Sequence, residues 1–150
     1  GLAAPQIGLA IRLFVIDTTP FSENDELSVQ EKEELNGFKK IFINAKITQE
    51  EGGVWAFNEG CLSIPGIHED VVRYDKITIE YYDENFRKQT EEYDGLRARV
   101  IQHEYDHIEG ILFTDRISSL KKRLNEKKLK KIMEGRTGVD YRMKFATKKR

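Results

Sequence analysis

Residues 102–107 read Gln-His-Glu-Tyr-Asp-His, and no other stretch restricts the fold as much. Two imidazoles four positions apart can converge on one cation if the segment is an α-helix, where residues 103 and 107 stack one turn apart on the same face. The flanking residues agree with a helix. Leu96, Val100, His103 and His107 recur at spacings of four, three and four, the period of a single helical stripe. Asp94-Gly95 precedes this stripe, and Gly110 follows it as a left-handed cap. The remainder of the chain must therefore hold one central helix and bring further ligands to it.

Upstream the pattern is that of strands. Residues 11–17 (IRLFVID) are rich in β-branched and aromatic side chains, and further strands are expected at 40–48 and 53–57. Residues 71–82 alternate, with Ile77, Ile79 and Tyr81 on one face, and Asp83-Glu84-Asn85 turns the chain into a return strand at 87–93. Between the first two strands, residues 18–37 are polar and acidic. They read as a surface insertion with a short helix at 29–35 and no identifiable chemistry. Beyond Gly110 a second helix is expected from Asp115 or Ser118 to Glu134, burying Leu120, Leu124, Ile132 and Met133. The expected class is α+β: mostly antiparallel β-sheet packed around the helix that carries the H-E-x-x-H pattern, plus a C-terminal helix.

A chain of 150 residues with 39% hydrophobic and 34% charged residues has the composition of one soluble globular domain, here residues 1–150. The single cysteine, Cys61, excludes an intramolecular disulfide and points to a reducing compartment, hence a cytoplasmic protein. No run approaches the roughly 18 apolar residues of a membrane-spanning helix. The first residue is Gly1 rather than Met, so the natural chain is expected to begin upstream. Charge is unevenly spread. Residues 1–114 carry 11 Lys/Arg against 22 Asp/Glu, while the basic helix and tail at 115–150 carry 14 against 4. Such a tail either meets an anionic partner or is a solvated helix face.

A glutamate following the first histidine turns the pair into a recognisable catalytic device, with His103 and His107 as ligands and Glu104 beside them as general base. A catalytic site of this kind needs three protein ligands and one open position. After Gly110 the candidates are Asp115, Glu126, Glu134 and Asp140, none in a distinctive setting. Upstream, Cys61 lies in Glu-Gly-Cys-Leu-Ser-Ile-Pro-Gly (59–66), between glycines at the end of an expected strand, and Cys/His/His is the natural set. His68 has no such company and reads as an ordinary surface or loop residue.

Three segments, GLAAPQIG (1–8), EGCLS (59–63) and QHEYDH (102–107), resemble the signature motifs of the peptide deformylases, in the same order, and the similarity extends over nearly the whole chain. The resemblance implies removal of the formyl group from N-formylmethionine at the start of new polypeptides, with release of formate. It implies one divalent metal on Cys61, His103 and His107, natively Fe(II), with Zn(II), Ni(II) or Co(II) able to substitute. Glu104 would activate the attacking water, and the Gln6 amide and the Leu62 backbone N–H would hold the oxyanion. Leu96 and Val100 would floor a methionine pocket with Arg99 at its rim, Gly1 would allow close backbone approach, and Arg73 would tie Glu59. The implied partners are an N-formylmethionyl peptide and, through the basic C-terminal segment, the ribosome; no membrane and no specific DNA are expected. Family members carry a helix before the first motif. Two other readings share the residues: a zinc-type metallopeptidase, and a ribosome- or RNA-associated module with a purely structural metal.

Overall fold

The computed structural model describes residues 1–145. Five strands form one sheet in sequential order: β1 (Leu2–Ala3), β2 (Leu13–Asp17), β3 (Lys39–Cys61), β4 (Ile64–Tyr82) and β5 (Lys88–Asp94). β1 runs antiparallel to β2, β2 to β3 and β4 to β5. Helices α1 (Val29–Leu35), α2 (Gly95–Ile108) and α3 (Ser119–Met133) complete an α+β fold. The short helix expected in the polar insertion is α1. It starts with a reciprocal cap in which Ser28 Oγ accepts from the Glu31 N–H at 3.3 Å and Glu31 Oε2 accepts from the Ser28 N–H at 2.8 Å.

The strands expected separately at 40–48 and 53–57 are one strand, β3. Gly52, in the gap between those two expected strands, serves a close cross-strand approach: a Cβ on it would fall 2.1 Å from Asp75 Oδ1. β4 likewise starts at Ile64, before the expected residue 71, because only residues 62 and 63 turn the chain between β3 and β4.

The chain forms two compact units, Gly1–Trp55 with Arg73–Leu112, and Ala56–Val72 with Phe113–Arg150, of which residues 146–150, the end of the basic tail, lie outside the described residues. In the first unit the sheet packs on α2. Phe14, Phe42, Ile77, Ile79, Ala98 and Ile101 are all fully buried in one cluster. Phe42 sits at its centre, stacked on Phe14 at 4.7 Å and tilted against Tyr81 at 4.4 Å. Removing a ring of this kind costs about 3–5 kcal/mol. Arg12 closes the C-terminal end of α2, with Nη1 donating to the Ile108 carbonyl at 3.4 Å and Nη2 to the Ala45 carbonyl at 2.7 Å. On the same face of β3, two residues before Phe42, Lys40 Nζ lies 2.6 Å from Glu91 Oε2, 3.0 Å from Tyr81 Oη and 2.8 Å from Tyr93 Oη.

In the second unit α3 corrects an expectation. Ile132 is buried at 9% exposure, but Leu120, Leu124 and Met133 are 66%, 73% and 74% exposed. A polar anchor sets the helix's rotation: Asn125 Nδ2 donates to Glu69 Oε1 at 2.7 Å and Lys121 Nζ pairs with Glu69 Oε2 at 3.0 Å. The helix thus turns Asn125 inward, and the Leu120/Leu124 edge points outward.

Candidate metal centre

α2 presents His103 and His107 one turn apart, their ring centroids 5.2 Å from each other and their planes at 78°. Glu104 and His107 are buried, and His103 is half-buried. The ligating atoms of Cys61, His103 and His107 all lie within 4.8 Å of one another. One thiolate and two imidazoles fit a borderline divalent transition metal, and three protein donors leave a position open. This is the set favoured from sequence over Asp115, Glu126, Glu134 and Asp140.

Two contacts missed from sequence aim the helix. Gln102 Nε2 donates to the Tyr74 carbonyl at 3.0 Å, and Arg73 Nη1 donates to Asp106 Oδ2 at 2.7 Å, with both members of that ion pair 3% exposed. Gln102 and Asp106 are one turn apart, and each immediately precedes a histidine. Consecutive residues of β4 therefore grip α2 beside each ligand position, which fixes the rotation of the helix and with it the direction of the imidazoles. Arg73 was expected beside Glu59; the ion pair the structure gives it is with Asp106. The available signal was a buried-side helical pair, Gln102 and Asp106, at i and i+4.

Gln6 lies in the short 3-10 turn Ala4–Ile7, where its Oε1 accepts from the Ala3 N–H at 2.7 Å. That bond occupies the oxygen end of the amide and turns the Nε2 donors the other way. Leu62 is 53% exposed in the two-residue turn after Cys61. A Cβ on Gly1 would lie 2.5 Å from Glu104 Oε1, so only glycine leaves that carboxylate its place. Leu96 is half-buried and Val100 8% exposed along α2. Arg99, expected at a pocket rim, is only 2% exposed; its guanidinium lies 4.5 Å over the Trp55 ring and Nη2 donates to the Trp55 carbonyl at 2.7 Å. His68 is exposed, with its ring against Gly60, where a Cβ would fall 2.5 Å from His68 Cδ2.

The family model for polypeptide deformylase matches residues 1–123. A peptide deformylase of Flavobacterium johnsoniae is 66% identical over 150 residues, covering 100% of this chain and 76% of the relative. Among solved structures, peptide deformylase 1B of Arabidopsis thaliana, in complex with an inhibitor, superposes with a TM-score of 0.74 at 32% identity, over 89% of this chain and 67% of that one. The Thermus thermophilus peptide deformylase gives a TM-score of 0.73 at 39% identity, over 89% of this chain and 74% of that one. The chain belongs to the polypeptide deformylase family, metal-dependent hydrolases of protein biosynthesis that remove N-formyl groups from nascent peptides.

Proposed function

We propose that this chain deformylates peptides beginning with N-formylmethionine, with one divalent metal on Cys61, His103 and His107 and with Glu104 moving the proton. The observation that carries the reading is the convergence of the three donor atoms within 4.8 Å, with buried Glu104 next in sequence to one of them. When bound, a divalent ion there supplies Lewis acidity toward water and the formyl oxygen. Fe(II) is the proposed native ion, and Zn(II), Ni(II) and Co(II) suit the same donors. Glu104 takes a proton from the attacking water as the oxygen adds to the formyl carbon, then gives it to the departing nitrogen as the C–N bond breaks, leaving formate and a free amine. The Gln6 Nε2 group and the Leu62 N–H donate to the oxygen that becomes negative; one such donor is worth about 3 kcal/mol of barrier. The methionine side chain lies along Leu96 and Val100, Gly1 gives the peptide backbone room, and Arg99 supports the pocket through Trp55. The proposed setting is the cytoplasm.

The test is product analysis with formyl-Met-Ala-Ser beside Met-Ala-Ser. Formate from the first and nothing from the second supports the reading. Cleavage of peptide bonds in either would favour a metallopeptidase, and neither product a non-catalytic module.

A second reading concerns α3, which supports docking to the ribosome because Lys122, Arg123, Lys127, Lys128, Lys130 and Lys131 are exposed beside Leu120 and Leu124. Binding of this kind weakens steeply with salt. Co-sedimentation with ribosomes that is lost on exchanging those lysines for glutamine supports it, and binding unchanged by the exchange ends it.

A further inference from the structure

The family match ends at residue 123, yet a residue well beyond it reaches the turn that follows Cys61. Tyr141 Oη donates to the Leu62 carbonyl at 2.8 Å. The route there is built into the end of α3. Gly135 and Arg136 N–H groups donate back to the carbonyls of Ile132 at 2.9 Å and Lys131 at 2.8 Å, which turns the chain off the helix. Phe145 then packs on Gly135, where a Cβ would lie 3.2 Å from its ring. The tail between these points has no regular secondary structure, so its path is set by side-chain contacts such as these.

Leu62 is the residue whose N–H is assigned to the oxyanion; it is more than half exposed and belongs to a two-residue turn. The N–H and the carbonyl of one residue are linked by two soft torsions. A hydrogen bond on the carbonyl of Leu62 therefore restricts where its N–H can point, and the same turn carries the Cys61 thiolate. Water could solvate that carbonyl but would leave the turn free to rock.

We propose that Tyr141 is a positioning residue for deformylation: its hydroxyl, delivered by the tail that follows α3, clamps the Leu62 carbonyl and holds the Cys61–Leu62–Ser63 turn in register for the reaction. The phenol is suited to the task, because its ordinary pKa of about 10 keeps the donating proton in place at neutral pH. The family's common motifs supply the turn, and this chain's tail supplies the clamp. The inference rests on the deformylase reading of Leu62.

The test compares wild type with Tyr141→Phe, both full-length and metal-loaded, in two measurements. The first is kcat and KM for formate release from formyl-Met-Ala-Ser; the second is amide hydrogen exchange over residues 61–63. The variant is expected to keep its metal, to lose about fivefold in kcat with KM changed by less than about twofold, and to exchange faster at the turn while Ile77 and Ile79 stay protected. Unchanged kcat would overturn the positioning role, and unchanged exchange would overturn the clamp itself. Lower thermal stability with normal kcat would leave Tyr141 as a tail anchor only. Should wild type release no formate, the functional reading would fall by itself, and the exchange rates would still decide whether Tyr141 holds the turn.

Discussion

Gly1 and Glu104 compete for the same space, since a side chain on the first would begin 2.5 Å from an oxygen of the second. Gly1→Ala should therefore keep metal and lose turnover, by about 10²-fold if the carboxylate is displaced by about 1 Å; metal content and kcat on one preparation check this. Asp106 works through its partner. Asp106→Ala removes a carboxylate 2.7 Å from the buried Arg73 guanidinium, and a loss of about 3–5 kcal/mol in urea unfolding is expected. These two residues also show what a sequence can and cannot reveal. The grouping of Cys61 with His103 and His107 was legible because metal chemistry demands two imidazoles at helical spacing, and Cys61 is the single cysteine. The Arg73–Asp106 pair was not, because it joins residues remote in sequence, and any nearby acid is an equally good partner on paper.

Among the elements, α2 was legible nearly to its ends, from its stripe and its Gly110 cap, and α1 was legible within a polar insertion. α3 was located but misoriented. Its leucines suggested an inward stripe, whereas Asn125 and Lys121 bind Glu69 and turn Leu120 and Leu124 outward. Leu124→Ser should accordingly change stability by less than about 0.5 kcal/mol, while Ile132→Ala should cost about 2 kcal/mol or more; thermal unfolding of the two variants separates these positions. The sheet contributes a pH dependence. Burial pushes Glu91 up, but hydrogen bonds from Lys40, Tyr81 and Tyr93 outweigh it and hold its pKa below the ordinary 4.5. A depressed carboxylate stabilises the fold above its unfolded pKa and ceases to do so as pH falls through the folded value. Wild type should thus lose its stability advantage over Glu91→Gln as pH drops below about 4.5, with a constant difference from there to neutrality. A gap that persisted unchanged to pH 2 would contradict this.

At the scale of the whole molecule, a five-stranded sheet fixes α2 through a buried aromatic core, and β4 fixes the rotation of α2 through Arg73 and Tyr74. The α+β class followed from the switch between two-residue and helical periods. The course of β3 through Gly52-Gly53 did not, because glycine marks both turns and close approaches, and only the facing Asp75 decides between them. No helix among the described residues is long and apolar enough to cross a membrane. The proposed activity divides labour between three residues that would hold a metal and one carboxylate that would move a proton. Glu104→Gln tests that division most directly: metal content and formate release from formyl-Met-Ala-Ser are measured on wild type and variant side by side. The predicted result is equal metal in both and a loss of turnover of at least about 10²-fold in the variant. Equal metal with equal turnover would contradict it.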